Sequence, residues 1–232
     1  MRILFIHHST GGLLLRFGNV RRLLREKNPD IELWDHGYNL FSFKPLSYLF
    51  GAFTFKTGLS DQNGKMTGKD FNIVISNDSP KEYVQIFSRD QKDPTLQEIL
   101  KFDVIIIKNC FPATRIKTDQ KLEVHKRHYA AVAKMFSRYE NRKFIIFTPP
   151  PLRAEMTKPE WAERARKLAE YMKTLKANNI RIFDFFNLLA DQDGPNKNML
   201  RREYCFLIPF DSHPNIRANR EVGKKLVDFL LR

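Results

Sequence analysis

The sequence predicts an α/β protein, a three-layer α/β/α sandwich built on a five-stranded, mostly parallel sheet. Three observations lead there. Five short apolar runs, at residues 2–6, 31–34, 103–108, 143–147 and 180–183, have the length of single strands. Between them lie segments whose apolar residues recur at helical spacing. The clearest run, Asp103-Val104-Ile105-Ile106-Ile107-Lys108, is β-branched at every internal position, as in a central parallel strand covered on both faces. Alternating strands and helices imply right-handed crossovers with helices on both faces of the sheet.

The elements follow in order. Arg2-Ile3-Leu4-Phe5-Ile6 is the first strand, His7-His8-Ser9-Thr10-Gly11-Gly12 a small polar turn, and residues 13–27 one helix with Leu13, Phe17, Val20 and Leu24 inward. Asn28-Pro29-Asp30 breaks it, Ile31-Glu32-Leu33-Trp34 alternates as strand two, and Asp35-His36-Gly37-Tyr38-Asn39 reads as a loop. Residues 40–70 are aromatic and Gly-punctuated, and 45–53 suit a short helix or a lid. Residues 71–75 are apolar enough for an extra short strand. Ser79-Pro80-Lys81-Glu82 and Asp93-Pro94 carry helix-start chemistry: a capping oxygen, then Pro in the first turn. Residues 119–139 form a long helix with Leu122, Tyr129, Val132 and Phe136 inward. Lys143-Phe144-Ile145-Ile146-Phe147 is stopped by three prolines. Thr157-Lys158-Pro159-Glu160 opens a helix with Trp161, Ala165, Leu168, Met172 and Leu175 inward. Ile180-Arg181-Ile182-Phe183 is strand five, 191–202 a loop, and a last helix follows Asn215.

Composition bounds the function. The 232 residues, 42% hydrophobic with 20 Phe, suit one domain spanning 1–232, in which 40–102 is an irregular insertion or lid region. No apolar run reaches the ~18 residues of a spanning helix, and the first residues do not read as a signal peptide, so the expected location is cytoplasmic. Cys110 and Cys205 read as reduced thiols without metal-ligand spacing, so no metal or cofactor is expected. A net charge of +14 favours an anionic partner. The basic residues are scattered over several helices, however, with no aromatic-basic RNA-binding motif. The expected partner is therefore a small-molecule or glycan ester, not a dedicated nucleic acid.

In such a sheet, functional residues collect beyond the carboxyl ends of the strands. The first strand delivers His7, His8, Ser9 and Thr10, and the second Asp35, His36 and Gly37. The central strand delivers Asn109 and Cys110, later strands Thr148 and Asp184, and the loop before the last helix Asp211 and His213. This inventory contains an acyl-transfer set. A neutral His213 can take the proton of Ser9, and Asp211 is the nearest carboxylate to hold its tautomer. The backbone N–H groups of Ser9 and Gly37 and the side-chain amide of Asn109 are candidate oxyanion donors. Each residue also has a plainer role: Ser9 as a helix cap, Asn109 as a turn residue, Gly37 as a positive-φ position. His7, His8 and His36 read as packed or supporting groups, because adjacent His7 and His8 point to opposite faces of a strand. His125 and His128 read as surface or packing groups of the long helix. Cys110 ranks low as a nucleophile, since its side chain should point away from the face Asn109 uses.

The order Ser9, Gly37, Asn109, then Asp211-Ser212-His213-Pro214-Asn215 resembles the SGNH (GDSL-like) hydrolase family. Ser9 in His8-Ser9-Thr10-Gly11 matches its nucleophile block. Gly37 and Asn109 match its two further oxyanion blocks, and Asp211 to Asn215 its acid-base block. The chain departs from that pattern in three places. Gly-Asp-Ser-Leu becomes His8-Ser9-Thr10, and Gly-x-Asn-Asp becomes Ile107-Lys108-Asn109-Cys110. The family's Asp, three residues before His, is replaced by Phe210, which leaves Asp211, Asp184 or a backbone carbonyl to orient His213. The resemblance implies a flavodoxin-like fold and a serine esterase acting on a short acyl group such as acetyl, on a carbohydrate or other small ester. Acyl transfer to a hydroxyl would use the same residues. Two other readings stand beside it: a catalytically impaired family member, and a flavodoxin-like module whose Ser9-Thr10-Gly11-Gly12 loop binds an anionic ligand.

Overall fold

A computed structural model describes residues 1–38, 57–73, 79–175, 177–208 and 210–232. Its strands are β1 (Arg2–His7), β2 (Glu32–Gly37), β3 (Gly58–Ser60), β4 (Val104–Ile107), β5 (Lys143–Phe147) and β6 (Ile180–Phe183). The described helices are α1 (Ser9–Phe17), α2 (Val20–Lys27), α3 (Lys81–Phe87), α4 (Pro94–Ile99), α5 (Asp119–Phe136), α6 (Pro159–Thr174), α7 (Phe185–Leu189) and α8 (Ile216–Leu230). The strands form one sheet in the order β3-β2-β1-β4-β5-β6, parallel except for β3. The fold is therefore the expected α/β sandwich, with six strands rather than five.

Two apolar cores lie on opposite faces of the sheet. Leu4, Ile6, Ile105, Ile107, Phe144 and Ile146 pack against buried residues of α3, α4, α5 and α6. Ile3, Phe5, Val104, Ile106, Ile145 and Phe147 pack against α1, α2, α7 and α8. The alternation along each strand is the period-two geometry of a pleated sheet buried on both sides.

Four details differ from the sequence reading. The sixth strand, Gly58-Leu59-Ser60, carries no strand signal of its own; a local hairpin holds it. Leu59 donates its N–H to the Lys69 carbonyl at 2.8 Å and accepts from the Thr67 N–H at 2.9 Å. The extra strand expected at 71–75 does not form at 71–73, where Asn72 has φ 48°. Phe71 and Ile73 are apolar because they enter the core, not because they pair; the rest of that segment, like the lid expected at 45–53, lies outside the described residues. The helix expected over 13–27 is two helices, broken at Gly18 and at Asn19, which has φ 51°. The break lets Gly18 lie directly on Gly223 of α8, with Gly223 Cα 3.2 Å from where a Gly18 Cβ would sit. Finally, β2 runs on through Asp35, His36 and Gly37, which pair with β1 on one side and β3 on the other. The described part of 40–102 is thus β3 with its hairpin and the two helices α3 and α4, both of which contribute to the core.

The caps follow local chemistry. Asp93 accepts from the Leu96 N–H at 2.9 Å, Thr118 from Lys121 at 3.1 Å, and Asn215 from Ala218 at 3.1 Å. The short α7 starts at Asp184, which accepts from Asn187 at 3.3 Å. Among the described residues no helix is long and apolar enough to cross a membrane.

Candidate active site

The turn after β1 starts α1 at Ser9, with His8 as the preceding extended residue. The loop before α8 carries Asp211 and His213. The Gly18–Gly223 crossing packs α1 against α8, so both loops come to one end of the sheet. There the Ser9 Oγ lies 2.7 Å from His213 Nε2. His213 Nδ1 lies 2.5 Å from Asp211 Oδ1, and the same oxygen accepts the His213 backbone N–H at 3.0 Å. A carboxylate only accepts, so Nδ1 carries the proton and Nε2 faces the serine hydroxyl as an acceptor. Asp211 reaches the ring from two residues away because the turn folds its side chain back over the His213 N–H. Phe111 presses edge-on against the imidazole, with centroids 5.0 Å apart.

The electrostatics suit this order. Burial pushes the Asp211 carboxyl up, but the His213 hydrogen bond and charge, with Arg153, outweigh it and the net shift is downward. Burial pushes His213 down, yet the Asp211 hydrogen bond and the neighbouring Cys110 sulfur and Asp211 charge carry it above its ordinary value. Asp184 is elsewhere: it caps α7 and meets Asn187 Nδ2 at 2.5 Å and Lys173 at 3.3 Å.

The expected oxyanion donors are placed unequally. Ser9 opens α1, and as its first residue it has no carbonyl one helical turn earlier for its N–H to bond. Asn109 follows β4 and is buried; its Nδ2 donates to the Ser79 carbonyl at 3.0 Å, and its Oδ1 accepts from Tyr129 at 3.0 Å. Gly37 is not the loop residue the sequence suggested. Because Leu59 directs its backbone groups toward Lys69 and Thr67, it is Gly58 that faces β2, and Gly37 pairs with it. The Gly37 N–H therefore faces β3, away from β1 and Ser9.

No family model and no curated protein matches the chain. Solved structures do match. A Streptococcus pneumonia protein named for platelet activating factor superposes with a TM-score of 0.52, covering 98% of this chain and 83% of its own, at 15% identity. A gut microbial diltiazem-metabolizing enzyme gives 0.55 over 98% of this chain and 46% of its own, at 11% identity. A GDSL-like lipase from Bacteroides thetaiotaomicron gives 0.49 over 99% and 88%, at 12% identity. The two structures with TM-scores above 0.5 share the α/β sandwich fold of this chain. At these identities the likeness is one of fold, and the site stands on its own geometry.

Around Ser9 the structure places further side chains. His8 Nδ1 also contacts Ser9 Oγ, at 3.0 Å, so two imidazoles flank the hydroxyl. Cys110 points to Ser9 rather than away: its Sγ is 3.6 Å from Ser9 Oγ and 3.4 Å from Thr10 Oγ1. Asn109 and Cys110 do diverge, but it is the cysteine that takes the Ser9 side. Burial pushes the Cys110 thiol up, while His8, the Lys108 ammonium and His213 outweigh it and hold it well below the usual thiol range. Lys108 is fully buried, donates to Thr10 Oγ1 and the Asn109 carbonyl, and is pushed by burial to about 8. Arg153 donates to the carbonyls of Phe206, Ile208 and Asp211 while pairing with Glu155. Nothing local in the sequence marks Arg153 or Lys108, because both act through distant chain segments. Among the described residues no group of three His, Cys, Asp or Glu could hold a metal ion.

Proposed function

We propose that this protein is a serine ester hydrolase of the SGNH type, with Ser9 as nucleophile, His213 as general base and Asp211 as the carboxylate that orients it. One observation carries the reading: a continuous chain from Asp211 through His213 to Ser9, at 2.5 and 2.7 Å, joining the two ends of the polypeptide. Such a chain has no structural purpose that a plain helix cap would not meet. The Ser9–His213 bond is what an anion-binding loop would not need.

In the proposed reaction Ser9 Oγ attacks the ester carbonyl as its proton passes to His213 Nε2, forming a tetrahedral intermediate. The Ser9 backbone N–H serves the oxyanion in this version, while the Asn109 amide is engaged with the Ser79 carbonyl; an oxyanion donor is typically worth about 3 kcal/mol in the transition state. Gly37 has no part in this version. The imidazolium returns its proton to the leaving alkoxide. Water then attacks the acyl-serine with His213 again as base, releasing the acid and restoring Ser9. Acyl transfer differs only in having an acceptor hydroxyl replace that water. The substrate class we favour is a small ester carrying a short acyl group such as acetyl; a carbohydrate backbone for it is supported by the net charge of +14 only in so far as the sugar is anionic.

The experiment is hydrolysis of p-nitrophenyl acetate by wild type and Ser9→Ala. The expected result is loss of at least about 10³-fold in kcat/KM in the variant. Equal rates would remove Ser9 from the mechanism and the reading with it.

A further inference from the structure

His7 is the last residue of β1 and lies 2% exposed, its ring tucked beneath the first turn of α1. The space exists because residue 11 is glycine: a Cβ there would sit 2.4 Å from His7 Cβ and 2.7 Å from its Cγ. Both ring nitrogens meet oxygens. Nδ1 is 2.8 Å from the His8 carbonyl and Nε2 is 2.8 Å from Asp35 Oδ2. Carbonyl and carboxylate oxygens accept only, so when both bonds are made both nitrogens donate and the ring carries a positive charge. Arg21 of α2 binds the other Asp35 oxygen. Burial pushes the Asp35 carboxyl up, but His7 and Arg21 outweigh it and keep it ionised below its ordinary value.

The His8 carbonyl is unusual in what it receives. Besides His7 Nδ1 it accepts from the Gly11 N–H at 2.9 Å and the Gly12 N–H at 3.3 Å. That carbonyl and the Ser9 N–H are the two ends of one amide group. A charged donor on the oxygen draws electron density through the conjugated C–N bond and makes the N–H at the other end a stronger donor. We propose that His7, held by Asp35 and Arg21, is a positioning residue that polarises the His8–Ser9 peptide unit and so strengthens the Ser9 N–H toward the oxyanion of the tetrahedral intermediate. The inference rests on the reading of Ser9 given above. It assigns a role to three residues, His7, Asp35 and Arg21, that touch no substrate.

Two variants separate this from mere packing. Asp35→Asn keeps the shape and offers Nε2 an amide donor, so the ring becomes neutral with its proton on Nδ1; the bond to the His8 carbonyl remains and only the charge is lost. His7→Phe fills the space and removes the bond. The first readout is the amide-proton resonance of residue 9, which should move upfield in Asp35→Asn and further in His7→Phe. The second is kcat and KM on p-nitrophenyl acetate. Because a donor is weakened rather than deleted, Asp35→Asn should lower kcat about tenfold, less than the 10²–10³ of losing an oxyanion donor outright, with KM unchanged. An unmoved resonance, or a loss confined to KM, overturns the inference. If His7→Phe does not fold, Asp35→Asn decides alone. The resonance is also read in Ser9→Ala with and without Asp35→Asn. Full esterase activity in Ser9→Ala would sink the proposed function, whereas the resonance shift answers for the peptide unit independently.

Discussion

Acidification from pH 7 to 4 should remove about 3 kcal/mol of stability through His36 alone. His36 is completely buried in β2, stacked on Phe71 with ring centroids 4.7 Å apart. Its Nε2 accepts the Phe71 N–H at 3.1 Å, so the proton of the neutral ring sits on Nδ1, which has no hydrogen-bond partner among the described residues. Burial drives its pKa down to about 4 from 6.5; Asp70, 3.1 Å away and 43% exposed, only partly opposes this. Between those two values the unfolded chain binds a proton that the folded chain refuses. Stability from this group is therefore complete above pH 6.5 and falls as the pH drops through the folded value of about 4. The difference of about 2.5 units corresponds to about 3 kcal/mol, as an order of magnitude. The assay is urea unfolding of wild type and His36→Gln at steps from pH 7 to 4. Gln can still accept the Phe71 N–H but does not titrate. Carboxylates and the other histidines are common to both proteins, so the difference in slope isolates His36. Wild type should lose about 3 kcal/mol more than the variant over this range. Parallel curves would refute the argument that burial, rather than the Asp70 contact, governs this ring.

Three further outcomes follow from the site and its support. Gly223→Ala places a Cβ 2.5 Å from the Gly18 carbonyl oxygen and 2.7 Å from Gly18 Cα, backbone atoms that cannot swing aside. It should cost about 3 kcal/mol and lower Tm by roughly 5–10 °C in calorimetry, and an unchanged Tm would mean that the α1–α8 crossing is not tight. In the proposed mechanism a neutral His213 is the base, and its pKa is raised, so log kcat/KM should climb with pH along an acid limb whose midpoint lies above 6.5. Asp211→Asn should move that midpoint downward and reduce the rate at least about 10²-fold; a midpoint that stays put would detach Asp211 from the imidazole.

The polypeptide's own pattern determined the layered fold. Continuous β-branched runs such as 104–107 have only one stable burial, inside a parallel sheet, and the caps at Asp93 and Asn215 act over three residues. The same locality made Ser9 and Asn109 visible at strand ends, and Asp211 and His213 in the loop before the last helix. Tertiary structure decided what no short window contains. The Gly-Leu-Ser of β3 becomes a strand because a hairpin presents its free edge to β2, and that pairing turns the Gly37 amide away from Ser9. Cys110, not Asn109, takes the Ser9 side of the β4 terminus, and a buried Lys108 lies under it. Arg21 of α2 meets Asp35 of β2, which in turn holds His7 of β1. Hydrogen-bond partners chosen over such separations depend on where the backbone has already been placed, so they are set by packing and not by spacing along the chain.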